Sequence, residues 1–183
     1  MKTSRLTEVY KIVLSAMFLG LSIILPFITM NNPSLGNMFC LMHFPVLLCG
    51  FICGWKYGLT VGLVAPILRF VIAGMPSIYP TALAMSAELG AYGAISGIMY
   101  NVLPKKKLFV YISLIISIII GKLVWGITMF GLLGFTFSKF GISAFFVQGF
   151  INAVPGLILQ IILIPIIIIL YEHLTKRNHN YKI

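Results

Sequence analysis

Long apolar runs separated by short polar turns constrain this chain of 183 residues more than any other feature. A membrane-spanning helix needs about 20 mainly apolar residues, and the runs predict helices at about 9–30, 38–55, 57–73, 80–103, 108–137 and 141–174. Only 9% of the residues are charged, about a third of the usual fraction in soluble domains. We therefore expect an all-α, six-helix transmembrane bundle that forms one integral membrane domain over residues 1–183.

The basic residues predict the orientation of this bundle. Lys and Arg number 13 against three Asp and Glu, a formal net charge of +10. Short cytoplasmic loops carry an excess of basic residues, and one side of the predicted topology receives ten of them: Lys2, Arg5, Lys11, Lys56, Lys105, Lys106, Lys107, Lys176, Arg177 and Lys182. Both termini are therefore expected in the cytoplasm of a multi-pass cell-membrane protein. Because the basic residues form short clusters between apolar runs, nucleic acid is not an expected partner.

The sequence lacks the motifs of P-loop ATPases, of zinc metalloproteases and of serine hydrolases. It has no G-x-x-x-x-G-K-[ST] loop, no H-E-x-x-H and no G-x-S-x-G. The three cysteines lie in or beside apolar segments without metal-ligand spacing, and His43 has no second His or carboxylate at helical spacing. We therefore expect no enzyme activity, no metal site and no cofactor. The sequence shows no repeat of 20–50 residues, so nothing in it supports a carrier built from inverted repeats.

Three charged side chains, Arg69, Glu88 and Lys122, fall inside predicted spans. A charge at membrane depth is costly and is by default a hypothesis of function. With the predicted orientation, Arg69 lies near the outer end of helix 3, and Glu88 lies about 12 Å inside helix 4. Lys122 lies about 21 Å from the cytoplasmic start of helix 5. All three side chains therefore converge on the outer half of the bilayer.

Polar and aromatic residues share helix faces with these charges, at the i,i+3 and i,i+4 spacings that bring side chains together. On helices 4 to 6 these candidate pocket residues are Glu88, Tyr92, Lys122, Trp125, Gln148 and Asn152. One interpretation is a Glu88–Lys122 ion pair with amide hydrogen bonds that only holds helices together. The other is an outward-facing polar pocket for a small water-soluble ligand. We favour the pocket because groups from several helices converge on one level.

Helix 1 carries a small-x-x-x-small pattern at Ala16 and Gly20. Small residues at this spacing allow another helix to approach closely. The pattern is compatible with packing inside the bundle and with a contact to a partner protein.

The segment from His43 to Gly58, HFPVLLCGFICGWKYG, resembles the H-x-P-V-L-L-x-G-F-x-x-G-x-x-x-G signature of substrate-binding (S) components of energy-coupling factor (ECF) vitamin transporters. The later segments APILR, GMP, PTA and AELGAYG look like the continuation in one branch of that family. The resemblance covers nearly the whole chain in length, helix number, position of the termini and order of segments.

The resemblance implies a high-affinity membrane subunit that binds a water-soluble vitamin and associates with an ECF module. That module consists of a transmembrane coupling protein and two ATPases, which fits the lack of a P-loop here. The resemblance also implies that Ala16 and Gly20, in place of the family's A-x-x-x-A, dock on the coupling protein, with Ser15 as an alternative position. It places the pocket on the outer side, lined partly by the helix 1–2 and 3–4 loops. The remaining pocket candidates are Asn32, His43, Tyr79 and Met75. Met75 is chosen because Gly74 and Pro76 on either side suit a lid, and its flexible apolar side chain suits covering a ligand.

The identity of the vitamin stays open at this point. The H-x-P-V-L-L branch looks most like members for pantothenate, or for pyridoxine and hydroxymethylpyrimidine. Arg69 and Lys122 together suit a carboxylate, which favours pantothenate. Outside the family, the alternatives are a stand-alone small secondary carrier and a structural membrane protein without transport activity.

Overall fold

The computed structural model describes residues 2–29, 38–104, 106–133 and 145–180. These ranges contain six α-helices and no β-strand, so the predicted all-α class is confirmed for the described part of the chain. The helices are α1 Lys2–Ile24, α2 His43–Cys53, α3 Trp55–Ala73, α4 Leu83–Val102, α5 Lys107–Leu132 and α6 Val154–Asn180. Lys56, at the start of α3, and Lys106, just before α5, lie at one end of the bundle, which we call the lysine-rich end.

Short helical turns of other geometry lie at the opposite end of the bundle. Leu25–Thr29 continues α1 as a 3-10 helix, and the π-helical turn Val147–Ile151 precedes α6. The segment Ile78–Ala82 before α4 is kinked, because Tyr79 has an extended backbone with φ −118° and ψ 132°. π-helical turns are rare and are frequent at functional sites. Three irregular segments therefore come together where the sequence predicts a ligand pocket.

Among the described residues, five helices are long and apolar enough to cross a membrane, and α2 is the shorter exception. The sequence predicts a span at 38–55, whereas α2 has 11 residues, His43–Cys53. The backbone leaves the helical conformation on both sides, because Cys40 has a φ of 49° and Gly54 a φ of 100°. Eleven residues rise about 16 Å, about half of a hydrocarbon core. Hydrophobicity alone could not show that the segment is only partly helical.

Glycines bring α2, α3 and α4 together at backbone distance. A Cβ atom on Gly58 would lie 2.5 Å from the carbonyl oxygen of Gly93 and 2.7 Å from the Cα atom of Gly50. No side chain fits at that separation, so the close approach of the three helices requires glycine. This glycine seam holds α2 and α4 side by side, and each helix carries one of the charged or titratable groups described below.

We expect Gly58→Ala to lower the thermal unfolding midpoint of the purified protein, because the added methyl group forces α3 away from α4. Overpacking of this kind costs about 1–3 kcal/mol. The matched control is Gly20→Ala, since a Cβ atom at Gly20 meets nothing within 4 Å. Thermal melts of both variants in detergent test this prediction, and equal midpoints would contradict it.

Candidate ligand-binding site

A cavity of about 610 Å³ opens at the end of the bundle opposite the lysine-rich end. Sites for small ligands typically measure about 300–1,000 Å³. The cavity is lined by residues from all six helices or from the segments next to them. At this end, α1, α3 and α5 finish, and α2, α4 and α6 begin. The cavity therefore lies where the sequence predicts that the buried charges converge.

The charged centre of the cavity is an ion pair between α4 and α5. The Lys122 Nζ atom lies 2.7 Å from the Glu88 Oε1 atom, and both side chains are almost fully buried. The His43 Nε2 atom, at the start of α2, lies 3.5 Å from the same carboxylate oxygen. Because an unpaired carboxylate at this depth is strongly disfavoured, Lys122 and His43 stabilise Glu88 in the bundle.

Arg69 adds a second cation to the lining of the cavity, near the end of α3. Its side chain is buried, with 8% of the residue's surface exposed. A guanidinium group presents donors that match both oxygens of a carboxylate. Arg69 is therefore the cavity group whose shape best suits a carboxylate ligand.

The positions of all three carboxylate side chains fix the charge balance of the cavity. The chain has only three Asp and Glu residues. Glu8 accepts a hydrogen bond of 2.7 Å from the Tyr57 hydroxyl, and Glu172 accepts one from Tyr100. Neither Glu8 nor Glu172 lines this cavity. Among the described lining residues, Arg69 and Lys122 thus stand against Glu88 alone, which gives a net charge of +1 when His43 is neutral.

One wall of the cavity is aromatic and sulfur-rich. Trp125 and Met129 on α5 and Met85 on α4 all line the cavity. The Trp125 ring stacks on Phe145 at 6.2 Å between ring centroids, and the Lys122 Nζ atom lies 5.9 Å from the centroid of the Trp125 ring. Aromatic and thioether side chains provide an adaptable apolar surface. The cavity can therefore hold a ligand that has both a charged and an apolar part.

The structure brings most of the predicted site residues together. Those that line the cavity are His43, Arg69, Met75, Glu88, Lys122, Trp125, Gln148 and Asn152. Tyr92 is fully buried beside the cavity, with its ring edge-on to His43 at 5.2 Å between centroids. Tyr79 is 55% exposed and its hydroxyl donates to the Leu132 carbonyl, so it ties the start of α4 to the end of α5. Asn32 lies outside the described residues, and the ligand-binding role of every candidate stays a prediction.

Sequence reasoning did not select several residues that line the cavity, among them Cys40, Thr81 and Met85. Thr81 and Met85 precede Glu88 by seven and three residues, so helical spacing from Glu88 could have found both. Cys40 carried no comparable signal, because its position depends on the left-handed backbone turn before α2.

The small residues of α1 lie on the outside of the described bundle. Ala16 is exposed, and a Cβ atom at Gly20 meets nothing within 4 Å. Met17, between them, is 60% exposed. Ser15 is buried, and its hydroxyl donates to the Ile12 carbonyl at 2.8 Å, so it does not share this face. We call the exposed surface around Ala16 and Gly20 the α1 face.

The family model described as ECF transporter, substrate-specific component, matches residues 10–169. The chain belongs to this family. It is therefore a membrane protein and a substrate-binding subunit of an ECF transporter, and such subunits are not enzymes. Comparisons with curated proteins and with solved structures find no match.

Proposed function

We propose that this chain is the high-affinity binding subunit for uptake of a small water-soluble vitamin that carries one carboxylate. Pantothenate is the first candidate. In this proposal a separate ECF module, made of a coupling protein and two ATPases, supplies the energy. The observation that carries the proposal is the excess of one cation, with Arg69 and Lys122 set against Glu88, in the lining of the cavity.

The excess cation favours a ligand with one negative charge. A ligand carboxylate would balance the net positive charge of the cavity lining. Arg69 can bind both oxygens of that carboxylate, and Lys122, which lines the same cavity, can contact the ligand while it stays paired with Glu88. Gln148 and Asn152 can exchange hydrogen bonds with the hydroxyl and amide groups of pantothenate. The aromatic and sulfur-rich wall suits its methyl groups.

Pyridoxine and hydroxymethylpyrimidine are the second candidates, and the observation in their favour is Trp125. The indole ring lines the cavity, and a flat heteroaromatic ring can stack on such a surface. Both molecules lack a carboxylate, so neither would balance the net positive charge of the cavity lining. For this reason they rank below pantothenate.

Mass spectrometry of the small molecules extracted from the purified protein tests the proposal. We expect pantothenate, or another carboxylate of similar size, at close to one molecule per chain. A neutral heteroaromatic compound would refute the carboxylate ligand and favour the second candidates. Uptake into proteoliposomes without ATPases, driven by an ion gradient, would instead identify a stand-alone carrier. Failure to bind any vitamin would favour a structural protein.

The segment between α3 and α4 is a candidate lid over the cavity. Met75, Pro76 and Ser77 line the cavity, and Gly74 before them has a φ of 68°, a left-handed conformation that glycine adopts without strain. We expect Met75→Ala to raise the dissociation rate of the ligand more than it lowers the association rate, as is usual for contact residues. Stopped-flow binding measures both rates, with Met17→Ala on the α1 face as the matched control.

A spin label on the variant Ser77→Cys provides a second test of the lid. Ser77 is exposed, so the label can be attached without disturbing the bundle. We expect the label to lose mobility when the ligand saturates the site. Unchanged mobility, together with an unchanged dissociation rate for Met75→Ala, would leave the segment as a simple connection.

A further inference from the structure

A second cavity, of about 320 Å³, lies at the lysine-rich end of the bundle, and the proposed uptake function does not use it. It lies between α1, α2, α4 and α6. In the described part of the chain α6 packs mainly on α5 and α2, which leaves space between its end and the neighbouring α1 and α4. The first cavity is at the other end of these helices, so the two are separate.

The walls of this second cavity carry opposite charges. Lys11 on α1 and Glu172 on α6 both line it, and both are partly buried. The Tyr100 hydroxyl donates a hydrogen bond to Glu172 and holds the carboxylate in place. A carboxylate has about four lone-pair sites, so Glu172 retains the capacity to accept hydrogen bonds from a ligand. The cavity therefore suits a molecule with one positive and one negative group.

The interior of the cavity is apolar. Phe51 and Ile168 line it and are buried, with 4% and 1% of their surface exposed. The charged residues lie near the lysine-rich helix ends, at the level where a protein of this family meets the phospholipid headgroups of the cytoplasmic leaflet. A cavity of this size can hold a headgroup, while the acyl chains remain in the bilayer beside it.

We propose that this cavity binds the headgroup of an aminophospholipid, with its ammonium group on Glu172 and its phosphate on Lys11. A phosphatidylglycerol headgroup would pair with Lys11 but would leave Glu172 without a cation. A choline headgroup has no N–H donor for the carboxylate. Phosphatidylethanolamine can pair its ammonium group with Glu172 and its phosphate with Lys11. This inference is independent of which vitamin occupies the outer cavity.

The test measures lipid binding to the delipidated, purified full chain in detergent. Short-chain phosphatidylethanolamine, phosphatidylglycerol and phosphatidylcholine are added separately, and native mass spectrometry quantifies each complex. We expect phosphatidylethanolamine to bind most tightly, and Glu172→Gln and Lys11→Gln each to weaken it by about tenfold, the scale of a charged hydrogen bond. Glu8→Gln and Lys56→Gln are the matched controls, since these residues lie at the same end without lining the cavity. Both controls are expected to bind like the unchanged protein.

Several results would overturn the proposal. Equal binding of phosphatidylglycerol, affected only by Lys11→Gln, would indicate a general anion site. Equal binding of phosphatidylcholine would indicate apolar adsorption. Loss of assembly with the coupling protein in Glu172→Gln, with lipid binding unchanged, would make the cavity a protein contact. If Glu172→Gln does not fold, as judged by its thermal melt, Lys11→Gln decides alone, and unchanged phosphatidylethanolamine binding by that variant refutes the proposal.

Discussion

Lys122→Met is expected to weaken binding of the carboxylate ligand by roughly 2–5 kcal/mol, the scale for removing one partner of a buried charged pair. This loss corresponds to at least about a thirtyfold drop in affinity. The substitution removes one of the two cations in the cavity lining and the 2.7 Å partner of Glu88, and it leaves the His43 Nε2 atom at 3.5 Å from the Glu88 Oε1 atom. Isothermal titration of the purified variant measures the loss, and a thermal melt shows whether the variant is folded.

The double variant Glu88→Gln/Lys122→Met separates a ligand contact from a structural ion pair. It removes both charges of the 2.7 Å pair and leaves the net charge of the cavity unchanged. If the pair only holds α4 to α5, the double variant should bind the ligand within a few-fold of the unchanged protein. We expect it to remain weak, because Lys122 lines the cavity beside the proposed ligand position. Restored affinity would contradict a direct role for Lys122.

Gly20→Trp is expected to abolish vitamin uptake by cells while ligand binding to the purified subunit stays unchanged. The reason is geometric, since the α1 face is exposed in the described bundle and does not line the outer cavity. A Cβ atom at Gly20 meets nothing within 4 Å, so the indole ring can extend outward without disturbing the fold. The same ring blocks close approach of a partner helix. Uptake of radiolabelled vitamin and titration of the purified variant give the two readouts.

Gly131→Trp is the matched control for this experiment. A Cβ atom at Gly131 also meets nothing within 4 Å, but this glycine lies on α5 and not on the α1 face. The control variant should retain uptake. Loss of ligand binding in a folded Gly20→Trp variant would place the α1 face in the ligand site. Normal uptake by Gly20→Trp would show that the coupling protein docks elsewhere.

The number and order of the helices could be predicted from the sequence because apolar length and lysine distribution are physical requirements of a bilayer. The local backbone geometry between the helices could not be predicted from the sequence. The apolar run at 38–55 contains both α2 and the non-helical turn at Cys40, and hydrophobicity does not distinguish a helix from a buried turn. The kinked segment Ile78–Ala82 and the π-helical turn Val147–Ile151 carry no compositional signal either.

The predicted convergence of charges agrees with the observed contact between Glu88 and Lys122. His43 as the third member of that cluster could not be derived, because helical spacing relates residues on one helix and His43 lies on α2. Tyr79 faces away from the cavity because its φ and ψ, −118° and 132°, interrupt the helical phase before α4. Tyr92 does share a face with Glu88, but it lies one turn deeper, where it is fully buried. Helical spacing thus predicts a shared face but not the depth at which a cavity ends.

The most direct measurement of the central claim is a titration of the purified protein with pantothenate and with panthenol, the alcohol that replaces the carboxylate by an uncharged hydroxymethyl group. The two ligands differ only at the group that is proposed to neutralise the excess cation of the cavity. We expect pantothenate to bind at least about a hundredfold more tightly, since losing the partner of a buried charge costs several kcal/mol. Arg69→Gln is expected to remove most of this preference. Equal affinity for the two ligands, or no binding of pantothenate to the folded protein, would contradict the proposed anionic vitamin site.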